Sequence, residues 1–292
     1  MKATPKMPLT VPSPLAPLYA YFPLLTVPND DATTPAPTAP TLWALGPPPA
    51  GHKESLDPVC RQSQAWLRFS GIDARPRWIA HGLGAPGGTL PALHLPQGDL
   101  IESEAVDAWT SKQATGKANT PADDSPDGPD PAKPVDPIVQ AYTALVETAL
   151  LPAVLAALYL LPSAPPVVPE RRLPFLSALA ARWLGMSQRQ DRISEIKRLR
   201  GGKMGKKAVL DLEEVEREAV EALNAIEVKM QATEAGKGPW FLGASTPSQL
   251  DAQLYSVLSI ISVLPARGDG SILRTALERC PALVQWCRSH DP

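Results

Sequence analysis

Two short stretches bring together residue types that could handle a thiol or a carboxylate. The first is Asp57-Pro58-Val59-Cys60. Pro58 suits the first position of a helix, where a missing N–H costs nothing, and Asp57 suits the N-cap before it. A reactive cysteine belongs at such a helix start, because the helix dipole favours its thiolate. In a Cys-Pro-x-Cys arrangement the nucleophile is the first cysteine, and that position here is Asp57. Only the second position survives, so Cys60 is expected as a small buried apolar residue. The second stretch is Glu102-Ser103. A serine at a helix N-terminus offers its hydroxyl and free backbone N–H groups to a carboxylate. The simpler expectation is that Ser103 caps the run 104–109, with or without a ligand. His52, His81, His94 and His290 are scattered with no metal-ligand spacing to the cysteines, so no metal site is expected. The glycine-rich 82–88 lacks the Lys-Ser/Thr of a phosphate loop and reads as a mobile turn.

The elements that would position these residues can be read from the same region. Residues 88–103 form two brief strands joined by a tight turn, with Pro91 at the mouth of the first. A cis Leu90–Pro91 bond would explain a proline there. Residues 41–45 read as a first strand leaving through Gly46-Pro47-Pro48-Pro49. The helix from Pro58 has an inner face of Val59, Ser63, Trp66 and Ser70, flanked by Cys60 and Leu67. Gly71 is placed to end it in the left-handed conformation. A second strand at 77–80 completes a β-α-β, β-β-α order. These are the parts of a thioredoxin-like domain of the glutathione-transferase type. Such transferases hold glutathione through a serine at a helix start and the backbone at a cis-proline, which would make Leu90, Glu102 and Ser103 the binding residues. With no Ser, Tyr or Cys at position 57 to activate a thiol, no catalytic residue and no cofactor is assigned.

The remaining chain divides by composition. Residues 1–40 are a Pro-rich N-terminal extension carrying an apolar strip, 15–25. Its Leu18, Tyr19, Tyr21 and Phe22 either pack on the domain's own surface or meet a partner. Residues 41–111 are the thioredoxin-like domain, and 112–136 a flexible acidic, Pro-rich linker longer than compact domains usually use. Residues 137–292 read as a helical domain. Its helices are 138–161, kinked or broken at Pro152, then 173–184 and 187–199. The pattern Val209, Leu212, Val215, Ala219, Leu223, Ile226, Met230 marks a long amphipathic helix. Ser248 to Asp251 form a capping box ahead of helix 252–263, and 282–288 close the chain. The fold class is therefore α/β plus all-α. The apolar run 138–161 holds Glu147 and Pro152. Its charge-free part is shorter than the ~20 residues a bilayer requires, so it reads as a core helix.

The 292 residues carry 28 Lys+Arg against 30 Asp+Glu, a net charge of −2, which argues against a nucleic-acid partner. Three cysteines cannot all pair, and no Asn-x-Ser/Thr acceptor is present, so a reducing, non-secretory compartment is expected. Secretory-signal features are lacking as well. Eight basic residues between Arg189 and Lys207 read as a solvated surface, with attraction to an anionic membrane as the alternative.

Three blocks resemble the metaxin family: Glu54–Phe69, Gly88–Trp109, and Gly238–Ala252 with Cys280-Pro281-Ala282-Leu283-Val284-Gln285-Trp286-Cys287 behind it. The likeness spans most of residues 41–290. It implies a non-catalytic subunit on the cytosolic face of the mitochondrial outer membrane, in the sorting and assembly machinery that inserts β-barrel proteins. The Pro-rich lead resembles that of the smaller, peripheral subunit of the fungal machinery. The implied partners are a membrane-embedded β-barrel core, a second metaxin-like subunit and β-barrel precursors. A cytosolic glutathione transferase is the competing expectation.

Overall fold

A computed structural model describes residues 37–48, 53–79, 85–118, 136–160, 192–200, 210–233, 238–265 and 272–291. The four strands are β1 (Thr41–Leu45), β2 (Arg75–Ile79), β3 (Ala92–His94) and β4 (Leu100–Glu102). They form one sheet in the order β2-β1-β3-β4, with β1 and β2 parallel and the other pairs antiparallel. Helix α1 (Pro58–Phe69) makes the crossover from β1 to β2, and α2 (Ser103–Ala118) follows β4.

Both ends of α1 form as their residues dictate. The Asp57 carboxylate accepts from Cys60 N–H, and Pro58 occupies the first turn. At the other end Gly71 has φ +67°, with Gly71 N–H donating to Arg68 O and Ile72 N–H to Leu67 O. That pair of bonds is a Schellman closure, which needs a residue tolerant of positive φ. The Leu90–Pro91 bond is cis as anticipated, and so is Gly46–Pro47.

Helix α3 (Pro137–Leu145) runs through a π-helical turn, Val146–Leu150, into α4 (Leu151–Tyr159). Pro152 neither breaks nor ends it. A wide turn directly before the proline rearranges the bonds where its ring and missing N–H would otherwise conflict with the helix. The combined helix is long and apolar enough to cross a membrane, but over half of its most apolar window is buried inside the protein. A further helix, α5, covers 192–199. Then come α6 (Leu212–Ala232), α7 (Gln249–Val263), α8 (Leu273–Glu278) and α9 (Pro281–Ser289). The α7 N-terminus carries the capping box in full: Ser248 Oγ accepts from Asp251 N–H, and Asp251 accepts from Ser248 N–H. Asp251 also accepts from the N–H of Phe241, fixing the preceding loop.

Several boundaries differ from those expected. β2 begins at Arg75 and ends at Ile79, instead of spanning 77–80; an edge strand reading Arg-Pro-Arg shows no apolar alternation to mark its start. α2 continues through Ala118, past the expected boundary at 111 and into the expected linker 112–136. α8 lies where no helix was expected. Residues 119–135, the proposed helix 173–184 and the strip bearing Leu18, Tyr19, Tyr21 and Phe22 lie outside the described residues.

The two halves share one core. Ala44, Leu45, Leu56, Cys60 and Trp66 from the α/β half cluster with Val146, Leu150, Leu223, Leu254, Tyr255 and Leu258 from the helical half. A smaller cluster, Leu42, Leu67, Leu93, Leu95 and Val106, lies between the sheet and α1 and α2. α1 and α7 form the main contact between the halves, where Ser256 Oγ donates to Pro58 O at 2.7 Å. Beside it a buried network surrounds Glu54. Its carboxylate meets Arg61 at 3.2 Å and Arg68 at 2.8 Å, and accepts from the Tyr255 hydroxyl at 3.1 Å. Burial and the Glu54 charge hold the Tyr255 phenol protonated, with its pKa well above the ordinary value.

These contacts give an expected order of stabilities. Ser248→Ala should cost about 1 kcal/mol through the lost cap. Asp251→Ala should cost about 1–3 kcal/mol more, because it also strands the buried Phe241 N–H. Equal unfolding free energies for the two variants in urea would contradict that order.

Candidate functional site

A thioredoxin-like domain places its reactive group at the start of α1, beside the cis-proline. In this chain Asp57 occupies that point, 4 % exposed. Its backbone is anchored by a short relay: Ser55 Oγ accepts from Asp57 N–H and donates to Leu45 O at 2.7 Å. Ser55 is itself fully buried. Its only proton is spent on Leu45, so it is not available to stabilise a thiolate.

The Asp57 side chain is held from both halves of the molecule. Oδ2 accepts from Cys60 N–H at 3.2 Å. Oδ1 accepts from Arg192 Nη2 at 2.7 Å and from the Tyr159 hydroxyl at 3.4 Å. Arg192 also pairs with Glu195 one turn along α5, and its guanidinium lies over the Tyr159 ring. Burial alone would disfavour the Arg192 charge. Asp57, the Tyr159 oxygen and Glu195 outweigh it, so its pKa moves further up. Burial, and then the Asp57 charge, push the Tyr159 phenol up as well. Tyr159 is thus a proton donor to a carboxylate rather than a phenolate.

The cysteines are equally unsuited to attack. Burial first, and the Asp57 carboxylate second, raise the Cys60 thiol well above its ordinary value. Its sulfur accepts from Leu45 N–H at 3.5 Å. Cys287 is pushed up to about 11 by burial, and Cys280 is raised for the same reason. All three are free and buried. Among the described residues no cluster of His, Cys, Asp and Glu could hold a metal ion.

The other sequence candidates do come together. Ser103 Oγ donates to Leu90 O at 3.2 Å, joining the start of α2 to the residue before the cis-proline. This differs from the expected cap at 104–109, since Ser103 is itself the first helical residue. Its hydroxyl proton is directed at Leu90 instead of outward. Glu102 lies against Gly87, where an added Cβ would come within 2.6 Å of the carboxylate. Two open depressions among the described residues, of 390 and 480 Å³, are lined by neither Leu90, Glu102 nor Ser103. The first is bounded by Leu42, Arg68 and Ile72, toward the C-terminal end of α1 and away from its start.

Sequence reading missed Arg192 and Tyr159. Arg192 belongs to the basic run expected to be solvated. Instead Arg192 points into the Asp57 cluster, and Arg200, 6 % exposed at its side chain, bridges Glu214 and Glu218. The partners lie 135 residues apart, and no local pattern announces such a pair.

A family model for the glutathione S-transferase C-terminal domain matches residues 219–290. Among solved structures, glutathione transferase GSTFuA2 from Phanerochaete chrysosporium superposes with a TM-score of 0.52 at 14 % identity. The match covers 87 % of this chain and 97 % of that one. The chain has a glutathione-transferase fold. The β-etherase LigF from a Sphingobium strain is also similar, at 14 % identity and a TM-score of 0.49, over 86 % of this chain and 94 % of that one. A search of curated proteins finds no match.

Within this fold, Asp57 does double duty as cap and ion-pair partner. Asp57→Ala should lower stability by about 2–4 kcal/mol, because it removes the cap and leaves Arg192 without its main partner. Asp57→Asn can still cap Cys60 N–H but also leaves Arg192 without an anion, so it should lose less than Asp57→Ala only by the cap's share of about 1 kcal/mol; equal losses in urea unfolding would show that the cap contributes nothing. A second measurement follows from Asp107 on α2. Its carboxylate accepts from Ser63 and Gln62 of α1 and Gln249 of α7. Burial raises its pKa, and these three neutral donors only partly counter that. A raised native pKa adds stability below the ordinary carboxylate value and loses it as pH rises through the native value. The unfolding free energy of Asp107→Asn relative to the parent protein should therefore fall on acidification across that window. A difference constant with pH would refute the assignment.

Proposed function

We propose that this chain is a non-enzymatic docking subunit built on a transferase scaffold. In the machinery suggested by its metaxin-like blocks, it would sit on the cytosolic face of the mitochondrial outer membrane and help insert β-barrel proteins. The observation that supports this reading is the Asp57–Arg192 ion pair at the start of α1. A thiol-handling site must favour a sulfur anion there, and a buried carboxylate already committed to an arginine does the opposite. The proposed partners are a membrane-embedded β-barrel core, a second metaxin-like subunit and β-barrel precursors; attachment to the membrane is peripheral.

A precursor signal is an extended peptide, for which addition to a sheet edge is a natural mode of capture. The two edges differ. Arg75 N–H donates to Pro40 O and Ile79 O accepts from Gly46 N–H, so the odd-numbered residues of β2 bond β1. The outward backbone positions are therefore Pro76, which has no N–H, and Trp78. A proline facing out closes an edge to pairing. The β4 edge carries no proline and is the better candidate.

The competing reading, a cytosolic transferase using Leu90, Glu102 and Ser103, draws on the Ser103–Leu90 contact. One set of measurements separates the two. The tagged chain should copurify with the outer-membrane barrel from detergent-solubilised mitochondria, leave the membrane in alkaline carbonate, and fail to bind immobilised glutathione. Purification alone, with no mitochondrial enrichment, would end the docking reading. Glutathione binding with turnover of an electrophile would establish the transferase.

A further inference from the structure

The two faces of the sheet are unequal. Leu42, Leu93 and Ile101 turn toward α1 and α2 and join the smaller core cluster. The register puts Arg75, Thr41, His94 and Leu100 in one row across the opposite face, and Arg77, Trp43, Ala92 and Glu102 in the next. Every member of the first row is exposed or half-buried. In the second row Arg77 and Glu102 at the two ends are exposed, while Trp43 and Ala92 between them are buried at 8 % and 0 % exposure.

Arg77 lies with its guanidinium carbon 4.1 Å from the centre of the Trp43 ring. Stacking on an indole holds a guanidinium in place and leaves its N–H fork free for an acceptor. No such acceptor is present: among the described residues the side chains of Arg75 and Arg77 make neither an ion pair nor a hydrogen bond. Among the strand residues described on this face the one carboxylate, Glu102, stands three strands away, on the order of 14 Å. In a chain of net charge −2, this corner holds two exposed cations that have no acidic partner among the described residues. Arg61, Arg68, Arg192, Arg200, Arg217 and Arg274 meet carboxylates, whereas among the described residues Arg198, Arg279 and Arg288, like Arg75 and Arg77, do not; what sets this corner apart is two arginines on one strand face, one of them stacked on an indole.

We propose that this corner of the sheet docks an extended acidic segment of a partner protein with carboxylates at alternate positions. Arg75 and Arg77 are two residues apart on one strand, so their side chains leave the same face about 7 Å apart. An extended peptide presents every second side chain on one side at that same spacing. One carboxylate would take the fork of Arg77, stacked on Trp43, and the next would meet Arg75. This inference does not depend on the organelle or the machinery proposed above.

The test uses the full chain and fluorescence anisotropy at low salt, with two labelled ten-residue peptides. One alternates Glu and Ser; the other has five Glu followed by five Ser. The alternating peptide should bind more tightly, and Arg75→Glu with Arg77→Glu should weaken it by about tenfold or more. Arg77→Lys should lose most of that binding although the charge is kept, because an ammonium cannot form the planar fork. Arg217→Glu, on a surface of α6, should leave it unchanged. Equal binding of the two peptides, indifference to the double charge reversal, or full binding by Arg77→Lys would each overturn the proposal. So would failure to bind either peptide while phosphatidylserine vesicles are bound, since the surface would then serve a lipid headgroup.

Discussion

The position of α1 depends on one buried carboxylate. Asp57 satisfies the free N–H of Cys60, and its other oxygen takes a guanidinium from α5 and a phenol from α4. Charge at a helix start is stabilising when negative. Here that local preference also recruits the helical half of the molecule. Removing the carboxylate would disturb a helix end and a long-range contact together, which is why a single atom group has such wide consequences.

The same helix is fixed along its length. Its face packs on α7, where Ser256 bonds the Pro58 carbonyl and Tyr255 reaches Glu54. Near its far end Arg68 donates to His290 O, and Phe69 stands against the rings of Trp240 and Tyr255. The core does not divide at the expected boundary between the two halves, because apolar residues of α1 belong to the helical cluster. Relative motion of the two halves would expose that shared surface.

Much was legible before any coordinates. The α1 and α7 caps, the glycine ending α1, the cis-proline, the β-α-β, β-β-α order and the burial of Cys60 all follow from interactions spanning a few residues. Ser103 and Leu90 meet in the structure, since a strand, a turn and a helix start leave little freedom. The Ser103 proton was misjudged, because its acceptor is a carbonyl that only the cis-proline turn brings near. Arg192 and Arg200 were misjudged more deeply. Both sit in a run of basic residues, and a run of charge gives no sign that two members turn inward.

By itself the sequence determined which segments could be helix or strand, where they end, and that position 57 holds no thiol. Those facts rest on backbone geometry and capping, which act over one turn. Tertiary structure alone decided that Asp57 forms an ion pair with an arginine 135 residues away, that the halves share a core, and that Arg75 and Arg77 share one sheet face with no acidic partner among the described residues. Ion pairing and burial depend on distance in space, and chain separation carries no record of it.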